Sequence, residues 1–535
     1  MQLQNKIKTL ITLAIVVLTP SMLWAGYAGD WVGSPSGSAP WTVTSNSGGT
    51  ISCAYADVSA AVSNATAEDT IYVGWDGVTP EICNATWDSQ LVITKGLQII
   101  GAGKSSGTTI TCNYNGGTNY SGTSPYLIVY APDATNRTNN TPFRLSGFYL
   151  DGDSKAQILT IYNQSVTAIS NIRVDNNYFI NPQHWVIFPQ GTIYGVIDNN
   201  TFNANGKTTD FIDSYGMGNN AWHYLTYSHG SADNLYYEDN LFLAATGFLG
   251  DNWDCTNGSR YAARFNTITQ SGSAAGSPLF NFHGSSDDTN SCMGVEIYKN
   301  TITAGSGTTY LLQQRGGMAM VFDNSLSRSG TSIGLIQVGD YADDCSTDAC
   351  DNDWTYPNSP DGQPQYPSSS YYFNNIITSW SGEKKWGEMC TSDYSNSGGG
   401  DHNCAVLDPP NRVVPVADYE FWGQYPQAGD SLESFTGARG VGRGLWAARP
   451  GTCTEGVGYW ATDKGEWNSE SVGNDGALYV CNDANTFEVY YTPYTYPHRL
   501  RDAAAAPANS IQGVSISELK VTDNLTAWNR TDGLR

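Results

Sequence analysis

Basic side chains are scarce: 26 Lys and Arg stand against 50 Asp and Glu, a net charge of −24 over 535 residues. Neutralising a phosphate backbone takes clustered Lys and Arg, so this shortage excludes a nucleic-acid partner. Charged residues of both signs make up only 14%, too few for long charged helices or a self-repelling disordered chain. None of the 11 cysteines falls in a Cys-x-x-Cys pattern, which excludes a zinc ribbon, a thioredoxin-like site and an attached c-type haem. Beyond residue 24 no stretch is apolar enough to cross a bilayer, so no transmembrane span is expected. What abounds is 57 Gly, 33 Tyr and 16 Trp, residues suited to turns and strands. The length exceeds one compact core and calls for several domains or a repeat array.

Lys6 and Lys8 precede an apolar run from Leu10 to Trp24, and small residues follow. This is the layout of a secretory signal peptide over 1–25, with cleavage after Ala25 or Ala28. The mature protein is then secreted, extracellular or periplasmic, and its cysteines are read as disulfides. Proximity pairs Cys255 with Cys292, Cys345 with Cys350, Cys390 with Cys404, and Cys453 with Cys481; Cys53, Cys83 and Cys112 leave one thiol over.

An internal repeat of variable length organises the middle of the chain. A short strand runs into an asparagine, as in IRVDNNYF (172–179), GVIDNNTF (195–202), LYYEDNLF (235–242) and YAARFNTI (261–268). VEIYKNTI (295–302), AMVFDNSL (319–326) and SYYFNNII (370–377) continue it. Asn177, Asn200, Asn240, Asn266, Asn300, Asn324 and Asn375 align, with large apolar side chains two places after each. Such alternation around a fixed polar turn residue predicts a parallel β-solenoid whose asparagines stack inside the bend. Successive asparagines are 23, 40, 26, 34, 24 and 51 residues apart, which places insertions near 205–230, 269–290 and 339–369. Val58, Ala61, Val62 and Ala65 have helical spacing and predict a short cap at the N-terminal end.

ADVSAAVSNATAEDTIYV and LVITKGLQIIGAGKSSGTTI, followed by the Asn coils, resemble the pectin-lyase-like right-handed parallel β-helix superfamily. Within it the chain is similar to exported bacterial β-helix proteins of unsettled function, through LYYEDNLF, GSRYAARFNTI, FHGS, VEIYKNTI and RGGMAMVFDN. The likeness continues through ARPGTCTEGVGYWATDKGEWN and YYTPYTYPHRLR and spans about 51–501. It implies an all-β right-handed parallel β-helix over 51–411 with inserted loops. A Trp/Tyr-rich C-terminal β appendage follows over 412–501, pinned by Cys453–Cys481, and then a linker and tail over 502–535.

Two places before each asparagine come Asp175, Asp198, Glu238, Arg264, Tyr298, Phe322 and Phe373, read as a surface column. Arg264, Tyr298 and Phe322 are thus candidate sugar-binding residues. Aligning the glycines of PLFNFHG, YLLQQRG and SIGLIQVG sets His283 beside Arg315 in adjacent coils, with Asn281 and Gln313 on the same face. GDNWDCTNGSRY, at 250–261, adds Asp251, Asp254 and Arg260. Lyases of this fold remove the proton next to a uronate carboxylate. In that scheme His283 or Arg315 is the base, Arg260 the carboxylate clamp, Asp251 and Asp254 a Ca²⁺ pair, and Asn281 and Gln313 substrate contacts. The acidic run DYADDCSTDACDNDW, at 340–354, is a second, weaker calcium candidate.

Departures from known patterns matter here. The β-helix polygalacturonases carry NTD, DD, GHG and RIK motifs; this chain offers only FHGS, so a glycoside hydrolase is disfavoured. The Lys that partners an Arg in alginate and chondroitin lyases has no evident match. The expectation is a secreted β-helix engaging uronate polysaccharide as a lyase or other carbohydrate-active enzyme. Its rival is a non-catalytic adhesive or structural surface protein. A phage-type depolymerase spike is disfavoured by the signal peptide.

Overall fold

The computed structural model describes residues 41–501 except 44, 46–49, 77–80, 106, 115–124, 164, 206–210, 217–226, 245–252, 271–278, 284–290, 306–309, 329–331, 340–368, 380–382, 391–403, 407–420, 423–434 and 439. At 41, 244, 310, 328, 332–339, 377–379, 383–390, 404–406 and 421–422 it describes the backbone alone. The signal peptide, the tail, Asp251, the 340–354 acidic run and most of the expected insertions lie outside the described residues.

Among the described residues the strands stack into three long sheets that together form a parallel β-helix. Sheet I has 12 strands, from Trp41–Thr42 to Phe421–Trp422; sheet II has 10, from Cys83–Trp87 to Ile376–Ser379; sheet III has 11, from Leu91–Ile93 to Cys404–Val406. Each coil passes through sheets I, II and III in turn, as Ile169–Asp175, Tyr178–Ile180 and Ile187–Gly191 do. Pairing is parallel throughout except where Cys404–Val406 runs back against Glu383–Cys390.

The repeat explains this stacking. In sheet I the residues three before each asparagine, from Val174 to Tyr372, point inward and are at most 2% exposed. Phe179, Phe202, Phe242, Ile268, Ile302 and Leu326 do the same in sheet II. Phe179, Phe202 and Phe242 stack with ring centroids 5.1 and 4.4 Å apart. Between the two sheets the asparagines form a continuous ladder. Asn240 Oδ1, for example, accepts from Asn200 N–H at 2.9 Å and from Asn200 Nδ2 at 3.1 Å, while its own Nδ2 donates to Ile197 O at 2.8 Å. The residue before each ladder asparagine takes φ between 53° and 56°, a left-handed turn that lets the chain change direction within two residues.

The helix Tyr55–Asn64 lies against the first coil, with Val58 and Val62 buried in the core. Cys53 pairs with Cys83, Cys255 with Cys292 and Cys453 with Cys481, and Cys112 is a buried free thiol. Cys390 and Cys404 sit opposite one another in the antiparallel pair; their side chains and the Cys345–Cys350 pair lie outside the described residues.

The appendage is a separate four-stranded sheet of Val441–Gly444, Gly458–Ala461, Ala477–Cys481 and Phe487–Tyr491. It lies on the outer face of sheet I. Trp460 packs on Phe322 and Phe373, each at 5.0 Å between centroids, and Trp467 meets Tyr298 edge-on at 5.7 Å.

Candidate functional site

Sheet III carries a polar cluster on its outer face. In the strand Trp253–Thr256, Trp253 and Cys255 fill the core, so alternation turns Asp254 outward. Asn281 lies in register with Asp254 on the next coil, and Gln313 with Asn281 on the one after. His283 N–H bonds Cys255 O at 2.9 Å, and Arg315 N–H bonds Phe282 O at 3.0 Å. His283 and Arg315 therefore occupy matching positions on neighbouring coils. Below them the Cys255–Cys292 disulfide ties Asp254's strand to the far end of the segment after His283, whose carbonyl accepts from Cys292 N–H at 3.0 Å.

The side chains meet in a chain. Asp254 Oδ2 lies 2.8 Å from His283 Nε2, and Asp254 Oδ1 accepts from Cys255 N–H at 2.7 Å. Arg315 Nη2 donates to Asn281 Oδ1 at 3.0 Å, and Asn281 Nδ2 lies 3.4 Å from His283 Nε2. Arginine only donates, so it fixes which way the Asn281 amide points. Nε2 has a single proton, given to Asp254, so the approach of Asn281 Nδ2, itself a donor, is a contact and not a hydrogen bond; in the neutral ring the lone pair then lies on Nδ1, the arrangement of a general base oriented by a carboxylate. The His283 side chain is 29% exposed, whereas Arg315 is 3% exposed and sits behind Asn281. Gln313 is half-buried on the same face.

Arg260 is not part of this cluster. It opens the sheet I strand Arg260–Arg264, just past the corner that follows Thr256. Its guanidinium lies 5.7 Å from the Tyr194 ring and 5.4 Å from the Tyr227 ring, with Nη2 3.1 Å from Met293 Sδ. It lines a narrow recess of about 20 Å³, room for about one water, at the corner between sheets III and I, together with Tyr194, Tyr215, Ser214 and Ser259.

Arg264, Tyr298 and Phe322 do face outward from sheet I, but the appendage covers them and each is 0% exposed. The expected surface column is an internal interface. Arg264 bridges Glu238 Oε2 at 2.7 Å, Tyr298 Oη at 2.8 Å and the carbonyls of Tyr494 and Thr495 at 2.6 and 2.8 Å. Glu238 also accepts from His498 N–H at 2.8 Å and Arg501 Nη1 at 3.1 Å. Burial opposes the charge on Glu238, yet Arg264, His498 and Arg501 outweigh it and hold its pKa below the usual carboxylate value. Burial lowers His498 to about 3 and raises Asp198 to about 6.

Of the expected calcium pair, Asp251 lies outside the described residues, as does the 340–354 acidic run. Asp254 already engages both carboxylate oxygens, and among the described residues no three His, Cys, Asp or Glu side chains are grouped to hold an ion. A hard cation wants several oxygen ligands, so no step is routed through one. Sequence reading missed Asp213, which lies one coil below Asp254 in register and is 3% exposed. Its IDSY context has no motif to flag it.

No protein-family model matches the chain, and no curated protein matches it. A solved structure described as Geobacillus virus E2 ORF18 is similar at 11% identity, over 63% of this chain and 58% of that one, with a TM-score of 0.34. The chain thus spans less than two thirds of that protein's length, and a likeness this slight adds nothing to the reading of the site.

Proposed function

We propose that the protein is an exported, pectin-lyase-like β-helix that engages uronate-containing polysaccharide and cleaves it by β-elimination. The observation that supports this best is the Asp254–His283 pair, 2.8 Å apart on the outer face of sheet III, with the His283 side chain 29% exposed. The N-terminal leader pattern and the disulfides fit an oxidising compartment outside the cytoplasm.

In this scheme His283 Nδ1 takes the proton from the carbon next to the carboxylate. The released electron pair forms the new carbon–carbon double bond, the glycosidic bond breaks, and its oxygen leaves as a hydroxyl after taking a proton from water; the hydroxide so formed takes the proton held on the imidazolium, which restores His283. Asp254 holds the ring and stabilises the imidazolium; Arg315 and Asn281 supply positive potential beside the developing enolate. Exposure favours His283 over Arg315 as the base.

The test follows the ultraviolet absorbance of the unsaturated product on pectate, alginate, chondroitin and a bacterial exopolysaccharide. A signal lost in His283→Ala and in Arg315→Ala supports elimination at this site. Silence on every polymer with binding retained would favour the non-catalytic adhesive reading instead.

A further inference from the structure

The outer face of sheet III carries an aromatic stack on the N-terminal side of the dyad. Trp185 leads into the strand Ile187–Gly191 and lies nearly parallel to Phe188, with centroids 4.6 Å apart and planes 13° apart. Phe188 also meets the Tyr215 ring at 5.2 Å. Ile187 fills the core, so alternation turns Phe188 outward. Phe188 is 1% exposed beneath Trp185, whereas Trp185 and Tyr215 are half-buried, so the stack builds outward from the sheet. Gln190, in register with Tyr215, sets a half-buried amide beside the rings. These rings form a cluster separate from the lumen, and the appendage lies on another sheet.

Charge decides what the stack can hold. Asp213, on the strand of Tyr215, is in register with Asp254, and no cation stands on the three strands that carry Phe188, Tyr215 and Asp254. Arg260, at the corner behind Tyr215, is 7% exposed. His184 meets Trp185 edge-on at 4.7 Å, and burial holds its pKa below the ordinary value, which leaves it uncharged at neutral pH. A carboxylated sugar on these rings would face the Asp213 carboxylate. An uncharged sugar, apolar on its ring faces and hydroxylated at its edge, matches aromatic rings beside an amide.

The position along the helix relates the stack to the dyad. Tyr215 lies one coil from Asp254, and His283 follows one coil beyond, since its N–H bonds Cys255 O. Phe188 is one coil further the other way. The stack is therefore centred about 10–14 Å from His283 along the axis, at the spacing of stacked strands. An extended glycan with its reacting unit at His283 would set its second and third neighbouring units there.

We infer that this stack is a subsite for uncharged sugars, so that the polymer spaces its uronates with neutral units instead of being a pure polyuronate. Trp185 supports the ring, and Asp213 turns a carboxylate away. The inference rests on the glycan reading above but not on catalysis.

The test uses the full mature chain carrying His283→Ala, so that ligand is not consumed. It is titrated calorimetrically with gellan oligomers, in which neutral sugars separate the uronates, and with hexagalacturonate. The gellan oligomers are expected to bind, and Trp185→Ala to weaken them about 10-fold, the worth of an aromatic stacking contact. Trp185→Phe should fall between, and its unchanged thermal midpoint guards against misfolding. Hexagalacturonate should bind more weakly and gain affinity in Asp213→Asn, a change that leaves the gellan oligomers unaffected. Hexagalacturonate binding as tightly as gellan, or gellan affinity indifferent to Trp185→Ala, overturns the subsite and leaves the uronate reading in place. No binding of either oligomer overturns both. Trp185-dependent binding in a protein that cleaves no polymer would uphold the subsite while rejecting the lyase.

Discussion

Glu238 and Arg264 face one another on adjacent coils of sheet I, 2.7 Å apart, and neither side chain reaches solvent. The C-terminal appendage closes over them: Tyr494 and Thr495 supply carbonyls to the arginine, and His498 and Arg501 supply donors to the glutamate. Each charge is thereby hydrogen-bonded on several sides, the condition under which a buried pair is tolerated. The pair joins appendage to helix across more than 200 residues of sequence.

Removing one member should therefore cost far more than removing both. Arg264→Met leaves a buried carboxylate and is expected to destabilise the protein by about 3–5 kcal/mol. Glu238→Leu combined with Arg264→Met should recover much of that loss. Chemical denaturation of the singles and the double measures the coupling. A single variant that unfolds at the same denaturant concentration as the unsubstituted chain would show that the pair does not hold the appendage.

The same interface sets a pH response. His498 is buried with a pKa near 3 against an ordinary value of 6.5. Between those values the unfolded chain binds the extra proton, so the histidine's contribution is full above about pH 6.5 and is lost as pH falls toward 3. His229 follows the same rule, also near 3, while Asp198, raised to about 6 from 3.8, works in the opposite sense. The clean readout is thus a difference. Relative to the unsubstituted protein, His498→Asn should gain about 1.4 kcal/mol per pH unit on acidification within this window. Thermal midpoints that fall in parallel for both would contradict it.

Much of the helix was legible because its core obeys a local rule. The ladder asparagines and the apolar residues two places on are fixed by one turn geometry, so unequal spacing did not hide them. Aligning glycines found the His283–Arg315 register for a similar reason: those strands end at the same corner. Arg260 was misplaced because the chain rounds that corner between Thr256 and Arg260, which carries the side chain into a separate recess. The column from Asp198 to Phe373 was read as surface because nothing local says that residues 441–501 return to cover it: the four-stranded sheet over its aromatic half, and Tyr494–Arg501 over its charged half. Phe265 shows the same limit: it takes φ 56° where other coils have Asn, Asp or Lys, and stacks on Tyr496 with centroids 3.7 Å apart.

The ladder should be least tolerant in its middle. Asn266 Oδ1 accepts from Asn240 N–H and Nδ2, and its Nδ2 donates to Tyr237 O and Asn300 Oδ1. Asn266→Ala strands several buried polar groups at about 1–3 kcal/mol each and is expected to lower the thermal midpoint sharply. Asn266→Asp should be worse, since it keeps the shape but sets a carboxylate oxygen against two acceptors. An aspartate variant as stable as the unsubstituted chain would mean that the amide donors contribute little.

The dyad predicts a separation between its two supports. Asp254→Asn keeps the volume beside His283 but removes the carboxylate that stabilises an imidazolium, so kcat on the responsive polymer should fall by about 10²-fold or more with KM little changed. Asn281→Leu leaves Asp254 in place and removes the amide that Arg315 orients at 3.0 Å. Its loss in kcat should be smaller, because the ring keeps its carboxylate and Nδ1 keeps its lone pair. Steady-state kinetics on one polymer, with far-ultraviolet dichroism to confirm folding, separates the cases. Equal losses from both substitutions would point to a general disturbance of sheet III, and a larger loss from Asn281→Leu would move the proton-transfer role from His283 toward Arg315.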